Sequence, residues 1–216
     1  MFKLNKEEHL EPDDYSYQMD ALKEMGNIAA AHAATALSKL LSEEILIDVS
    51  ESHLYLVEEL PNGIDIKADK VAVVYIDVYK DERGIILFVF PYEKALRLSN
   101  MFMKSEENLS NEIDDFDKEA ICEIGNICAC AYLNAISKFL GITLIPSPPG
   151  LAIDMLSAIM EFPASIMGQR SEYAIVIETK FIYQNEAFPG LMLFMLDPPS
   201  QELILKRFGI NCKMKE

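Results

Sequence analysis

The chain has 216 residues, 50% apolar and 25% charged, with 19 basic against 35 acidic side chains and hence a net charge of −16. That composition excludes a disordered chain, and the charge excludes a binder of phosphate backbones while leaving basic or metal-bearing protein partners open. No apolar run reaches the ~18–20 residues that span a bilayer, and the acidic start Met1–Asp14 lacks a signal-peptide pattern, so a cytoplasmic protein without membrane insertion is expected.

In chain order, residues 1–14 read as a flexible acidic lead-in. Asp13, Asp14 or Ser16 can cap a helix that begins near Tyr15 and runs to about Ser42. Short strands are expected at Ile45–Val49 and Leu54–Glu58. A hairpin follows, with arms Val71–Tyr79 and Ile85–Phe90 around the turn 80–84. Tyr92–Met103 has helical spacing, and residues 104–112 read as a polar linker. Asp114 or Asp115 can cap a second long helix from Phe116 to about Leu140, closed by Gly141. Then come a strand at Ile142–Ile145, a turn at Pro146–Gly150, and a helix at Ala152–Met160 with no counterpart earlier. A second hairpin has arms Tyr173–Phe181 and Leu191–Leu196, with its turn at Gln184–Glu186. A closing helix is expected at Pro198–Phe208 and a tail at 210–216.

The two long helices carry one pattern twice. Ala21–Leu41 aligns without gaps on Ala120–Leu140 at an offset of 99 (126 − 27), repeating Glu-x-Gly-Asn-Ile and Ser-Lys. This predicts an internal duplication. The expected fold is α+β: two pseudo-twofold-related halves, each with a long motif-bearing helix packed on antiparallel strands. The expected organisation is one domain, 15–209, made of repeats 15–103 and 113–209 that share a core, which leaves a monomer with no need of a second copy.

At about 100° per residue from Leu22, the residues Met25, Gly26, Ala29, Ala33, Ala36, Leu37 and Leu40 form the packing face. Asp20, Glu24 and Asn27 fall on the opposite side, continued by Ala31, Ala34 and Ser38. Small side chains there leave a flat strip on which another protein could lie close. Gly26 costs the helix roughly 1 kcal/mol relative to alanine, and close approach of another backbone is the expected compensation. The second strip, with Cys130 and Leu133 in place of Ala31 and Ala34, reads as bulkier. Cys122, Cys128 and Cys130 diverge around their helix and cannot converge on one metal.

A repeated Glu and Asn three apart suits few chemistries. No Ser–His or Cys–His arrangement recurs, since His32 and His53 lack counterparts. A glycosidase needs two carboxylates across a cleft, and one carboxylate with one amide makes no metal site. An Asn amide both donates and accepts, which suits holding a water in line for attack, while a carboxylate one turn away can pair with a partner's lysine.

On these residues the chain resembles the CheC/CheX/FliY family of chemotaxis phosphatases, whose signature is Asp/Ser-x3-Glu-x2-Asn-x22-Pro, and within it the two-copy CheC branch. The first copy matches at Asp20, Glu24 and Asn27 and has Ser50 at the proline position. The second matches at Glu123, Asn126 and Pro149 and has Glu119 at the first position. The resemblance implies a phosphatase acting on the phospho-aspartate of a CheY-like response regulator. In it, Glu24 and Glu123 pair with the regulator's lysine, and Asn27 and Asn126 orient the attacking water. It implies no cofactor of the protein's own, with magnesium resident on the phosphorylated partner, and a further partner in the receptor deamidase CheD. The rival expectation is a non-catalytic binding module, for CheD among others; a structural part of the flagellar switch is a third.

Overall fold

The computed structural model describes residues 3–4, 12–60, 64–65, 68–80, 84–103, 112–167, 173–196, 203 and 206. Most of the lead-in, the linker at 104–111, the tail and nearly all of the expected closing helix Pro198–Phe208 lie outside the described residues.

The elements run β1 (Lys3–Leu4), α1 (Pro12–Leu41), β2 (Leu46–Leu56), β3 (Ile64–Asp65), β4 (Val71–Lys80), β5 (Gly84–Pro91) and α2 (Tyr92–Met103). They continue with α3 (Asp115–Leu140), β6 (Leu144–Pro146), β7 (Gly150–Asp154), α4 (Leu156–Met167), β8 (Tyr173–Tyr183) and β9 (Glu186–Leu196). Helix α1 starts at Pro12, whose ring suits a first turn, so Asp13, Asp14 and Ser16 lie inside the helix and do not precede it. It stops where Ser42 turns left-handed at φ 56°.

Helix α3 is capped as its sequence predicts. The Asp114 carboxylate accepts from Asp117 N–H at 2.9 Å, the Asp117 carboxylate accepts from Asp114 N–H at 3.0 Å, and Gly141 closes the helix at φ 70°. By length and composition α3 is apolar enough to cross a membrane, but its apolar side is packed into the core. The β8–β9 turn falls at Gln184 and Asn185, both at positive φ (47° and 65°), as a two-residue hairpin turn requires.

Among the described residues, seven strands form one antiparallel sheet in the order β2-β8-β9-β5-β4-β6, with β7 also paired to β4; β1 and β3 form a separate pair. The strands of the two halves interleave. With β2 matched to β6 plus β7, β4 to β8 and β5 to β9, the order reads the same from either edge. The registers agree: Ser52, Ile177, Met192, Phe88, Val74 and Leu151 are paired in succession across the sheet in one row. Phe88 and Met192, matched positions of the two halves, face each other at the centre of that row. The order and register therefore have a pseudo-twofold at this pair.

Two local expectations are corrected here. Leu46–Leu56 is one strand with a bulge, not two strands, and it passes into a 3₁₀ turn at Val57–Glu59. Ala152–Asp154 is strand, with Ile153 opposite Ala72, so the helix begins only at Leu156. The two corrections are related. Between Val49 and Ser52 the chain advances three residues while β8 advances two (179 − 177), and between Pro146 and Gly150 it advances four while β4 advances three (78 − 75). Each half thus has one extra residue here, and Ser50 and Pro149 sit in the two interruptions.

Helices α1 and α3 pack against each other on one face of the sheet. Met25, Ala29, Ala33 and Leu37 are buried there, together with their counterparts Ile124, Cys128, Tyr132 and Ile136. Ala36 and Leu40, expected on this face, are exposed, while Ala30, Ala34 and Leu41 are buried. The buried seam follows the i, i+4 ridge, which winds slowly around a helix, and not a straight face. On the other side of the sheet, Val73, Val89, Val176 and Leu193 form a smaller core with Met160 of α4 and with Val57 and Leu60 around the 3₁₀ turn.

Candidate functional site

The residues singled out by the repeat lie on the outer side of the two helices. Asp20, Glu24, Glu119 and Glu123 are exposed, and Asn27 and Asn126 are half-buried at the edge of the packed seam. Within each copy the helix brings Glu and Asn together one turn apart. The two copies remain separate. Gly26 lies over Ile177 and Gly125 over Val74, the two being three strand spacings apart in one row, or about 14 Å. There are therefore two separate Glu–Asn pairs, one on each helix.

The strips differ from the expected ones in composition. Ala34 and Leu133 are 8% and 1% exposed and belong to the buried seam, so neither strip carries them. Ser38 and Ser137 serve the fold: Ser38 Oγ accepts from Ile45 N–H at 2.8 Å, and Ser137 Oγ accepts from Leu144 N–H at 3.3 Å. The same hydroxyl in each copy ties the strand that follows to the helix, which explains the repeated Ser. Ser50 Oγ is buried and has no hydrogen-bond partner among the described residues, and Pro149 is half-buried. Beside Pro149 the chain is held by Ser147, whose N–H donates to Asp77 O at 2.8 Å and whose Oγ accepts from Asp77 N–H at 3.0 Å.

Two exposed apolar side chains border the strips and were not among the candidate site residues. Ile28, 50% exposed, follows Asn27, and Phe116, 70% exposed, lies two turns before Glu123 on the same side of α3. Their exposure is a tertiary fact, and the only hint in sequence is an apolar residue on an otherwise polar face.

The second strip has a feature absent from the first. Cys130 Sγ lies 3.8 Å from Asn126 Oδ1, one turn on, where the first copy has Ala31. Partial burial, and next the charge of Glu123, push the Cys130 thiol up, so it stays protonated and donates to the amide oxygen.

A twofold-ordered antiparallel sheet carrying two adjacent helices, each with Glu and Asn on its outer strip, defines an α+β protein of doubled helix-on-sheet plan. The chain belongs to the CheC-like family: that family's model matches residues 18–49 and 116–153. The chain is also 30% identical over 201 residues to the CheY-P phosphatase CheC of Bacillus subtilis (strain 168), covering 90% of this chain and 95% of the relative. The matched segments run from α1 into β2 and from α3 into β7; they hold both Glu–Asn motifs and the second strand interruption, and the first segment ends at Val49, where the other interruption begins. Among solved structures, Thermotoga maritima FliY superposes with a TM-score of 0.72 at 20% identity, covering 94% of this chain and 98% of that one. The FliM middle domain from H. pylori superposes at 0.61 with 11% identity, covering 88% and 97%. At such identities these two likenesses establish the fold alone.

Proposed function

We propose that this protein is a cytoplasmic phosphatase that hydrolyses the phospho-aspartate of a CheY-like response regulator in chemotaxis signalling. The observation that carries the proposal is the pair of an exposed Glu and a half-buried Asn one turn apart, present on both helices of a chain whose curated relative is named a CheY-P phosphatase. Glu24 or Glu123 pairs with a lysine of the docked regulator, which fixes the register of helix and partner. Asn27 or Asn126 then reaches the phosphoryl group from the side and holds a water in line, its amide accepting from the water while donating toward the phosphoryl oxygens. The protein contributes position and no nucleophile; magnesium on the regulator supplies the charge neutralisation, so the reaction needs no cofactor on the phosphatase.

The flat strip beside Ala31 and the exposed Ile28 and Phe116 give the regulator an apolar seat next to each Glu. Asp20 and Glu119 extend the acidic edge, and Pro149 holds the turn behind the second site. A single chain with two seats acts as a monomer.

Phosphate release from a phosphorylated CheY-like regulator, compared between wild type and an Asn27→Ala/Asn126→Ala double variant, tests the proposal. Loss of the positioned water should slow release by about 10²-fold, or about 2.7 kcal/mol. Equal rates would refute it and leave the binding-module alternative, in which the chain engages the regulator or CheD without turnover.

A further inference from the structure

Away from the motif helices, one edge of the sheet gathers three metal-ligating side chains. Glu51 lies in the bulge of β2, His53 follows on the same strand, and Glu178 stands on the adjacent β8; their ligand atoms all fall within 4.8 Å of one another. His53 pairs with Val176 and neighbours Tyr55, both in the smaller core, so the cluster is on the sheet face opposite α1 and α3. The His53 ring is 8% exposed and packs edge-on against Tyr55 at 6.2 Å, which fixes its direction. Its Nε2 points into the cluster, 3.1 Å from Glu51 Oε2.

The other half shows what these backbone positions do without such groups. The matching residues are Gly150, Ala152 and Tyr75, with Tyr75 opposite Gly150 and Val73 opposite Ala152. There the tyrosine ring lies over the glycine so closely that a Cβ on Gly150 would fall 2.1 Å from Tyr75 Cζ. An aromatic ring therefore covers the strand interruption in the second half. In the first half two carboxylates and an imidazole converge on it. Two carboxylates of like charge at such range repel each other, and a cation held between them with the imidazole would remove that cost.

We infer that Glu51, His53 and Glu178 form a binding site for a divalent transition-metal ion, zinc foremost, which pins the bulged edge strand β2 to β8. One imidazole nitrogen with two carboxylate oxygens suits zinc and its first-row neighbours, whereas magnesium and calcium prefer oxygen alone. Three protein donors leave at least one position for water. Glu51, whose side chain is 60% exposed, is the solvent-side ligand, while His53 is buried in the sheet and Glu178 is half-buried on β8.

Zinc titrated into chelator-treated full-length protein tests this, with binding followed by calorimetry and folding by circular dichroism. Wild type should take up one zinc per chain and melt at a higher temperature with zinc present. His53→Ala, and the near-isosteric Glu178→Gln, should weaken binding by about tenfold or more and abolish the shift in melting temperature, since even outer-shell changes cost that much. His32→Ala, on the exposed side of α1, should bind as wild type does. Cobalt(II) in place of zinc should give a spectrum without a thiolate charge-transfer band. The inference is overturned by a wild type that binds no zinc below millimolar concentration, by unchanged binding in folded His53→Ala and Glu178→Gln, or by a thiolate band that moves the metal to the cysteines.

Discussion

Helices α1 and α3 bury matched positions on matched strands, yet they meet the sheet differently. On α1 the middle of the seam is alanine (Ala29, Ala30, Ala33 and Ala34), and a Cβ at Gly26 would find only side chains at ordinary distance, Val49 Cγ1 at 3.5 Å and Ile177 Cγ2 at 3.6 Å. On α3 a Cβ at Gly125 would fall 2.6 Å from Val74 Cγ1, while farther along Tyr132 and Leu133 replace Ala33 and Ala34. The second helix is pressed onto the sheet at its motif and held by large side chains beyond it; Tyr132 packs edge-on to Phe88 at 6.3 Å. Its start is fixed as well. Ser99 Oγ of α2 donates to Asp117 Oδ1 at 2.6 Å, inside the capping box. One backbone plan therefore supports a firmly seated motif and a more loosely seated one, and the same glycine has a different reason in each.

The largest expected consequence is catalytic. Positional catalysis depends on how well the amide is held, and Asn126 has the Cys130 thiol beside its oxygen on a firmly packed helix. With the regulator in excess, Asn126→Ala alone should slow dephosphorylation by about 10²-fold, and Asn27→Ala alone should leave the rate essentially unchanged. Equal losses from the two single variants would remove any functional meaning from the asymmetry. The glycines come next. Gly125→Ala forces a methyl into Val74 and should cost about 1–3 kcal/mol in urea denaturation. Gly26→Ala has room for its methyl and should gain up to about 1 kcal/mol from helix propensity. Destabilisation by both substitutions to the same degree would show that α1 is seated as tightly as α3.

How far this asymmetry could be read in advance depends on the range of the interactions involved. The caps of α3, the hairpins and both motif helices were legible, because Asp114, Gly141 and the Gln184–Asn185 turn act within a few residues of themselves, whereas the start of α1 was not. Interleaving was not: nothing local in Leu46–Leu56 says that it pairs with Tyr173–Tyr183 and not with its own hairpin. The spacing of Ile153, Leu156, Ile159 and Met160 fits a helix, and only pairing with β4 makes Ala152–Asp154 a strand. A straight-face projection also misplaced Leu40, Ala34 and Leu133, because the contact seam between packed helices follows a ridge. Gly26 was expected to meet another backbone and meets two side chains, a difference set by the depth at which α1 sits.

The smallest effect follows from Cys128, which replaces Ala29 in the seam and is 1% exposed. Burial, and next the neighbouring Cys130, hold its thiol far above the ordinary value of 9.0. In the unfolded chain the thiol ionises near that value, so above about pH 9 the folded state binds more protons than the unfolded one. Stability from this group is whole below that pH and is lost as pH rises. At about pH 9.5 the loss is about 0.8 kcal/mol. Cys128→Ala should therefore lose less stability than wild type between neutral pH and about pH 9.5, and Ala29→Cys should lose more. Denaturation curves at the two pH values give the comparison within each protein, free of any packing change common to both. If Cys128→Ala kept the wild-type alkaline slope, the seam under α3 would have to admit water to that thiol, and the tighter seating inferred from Gly125 would not extend one turn along the helix.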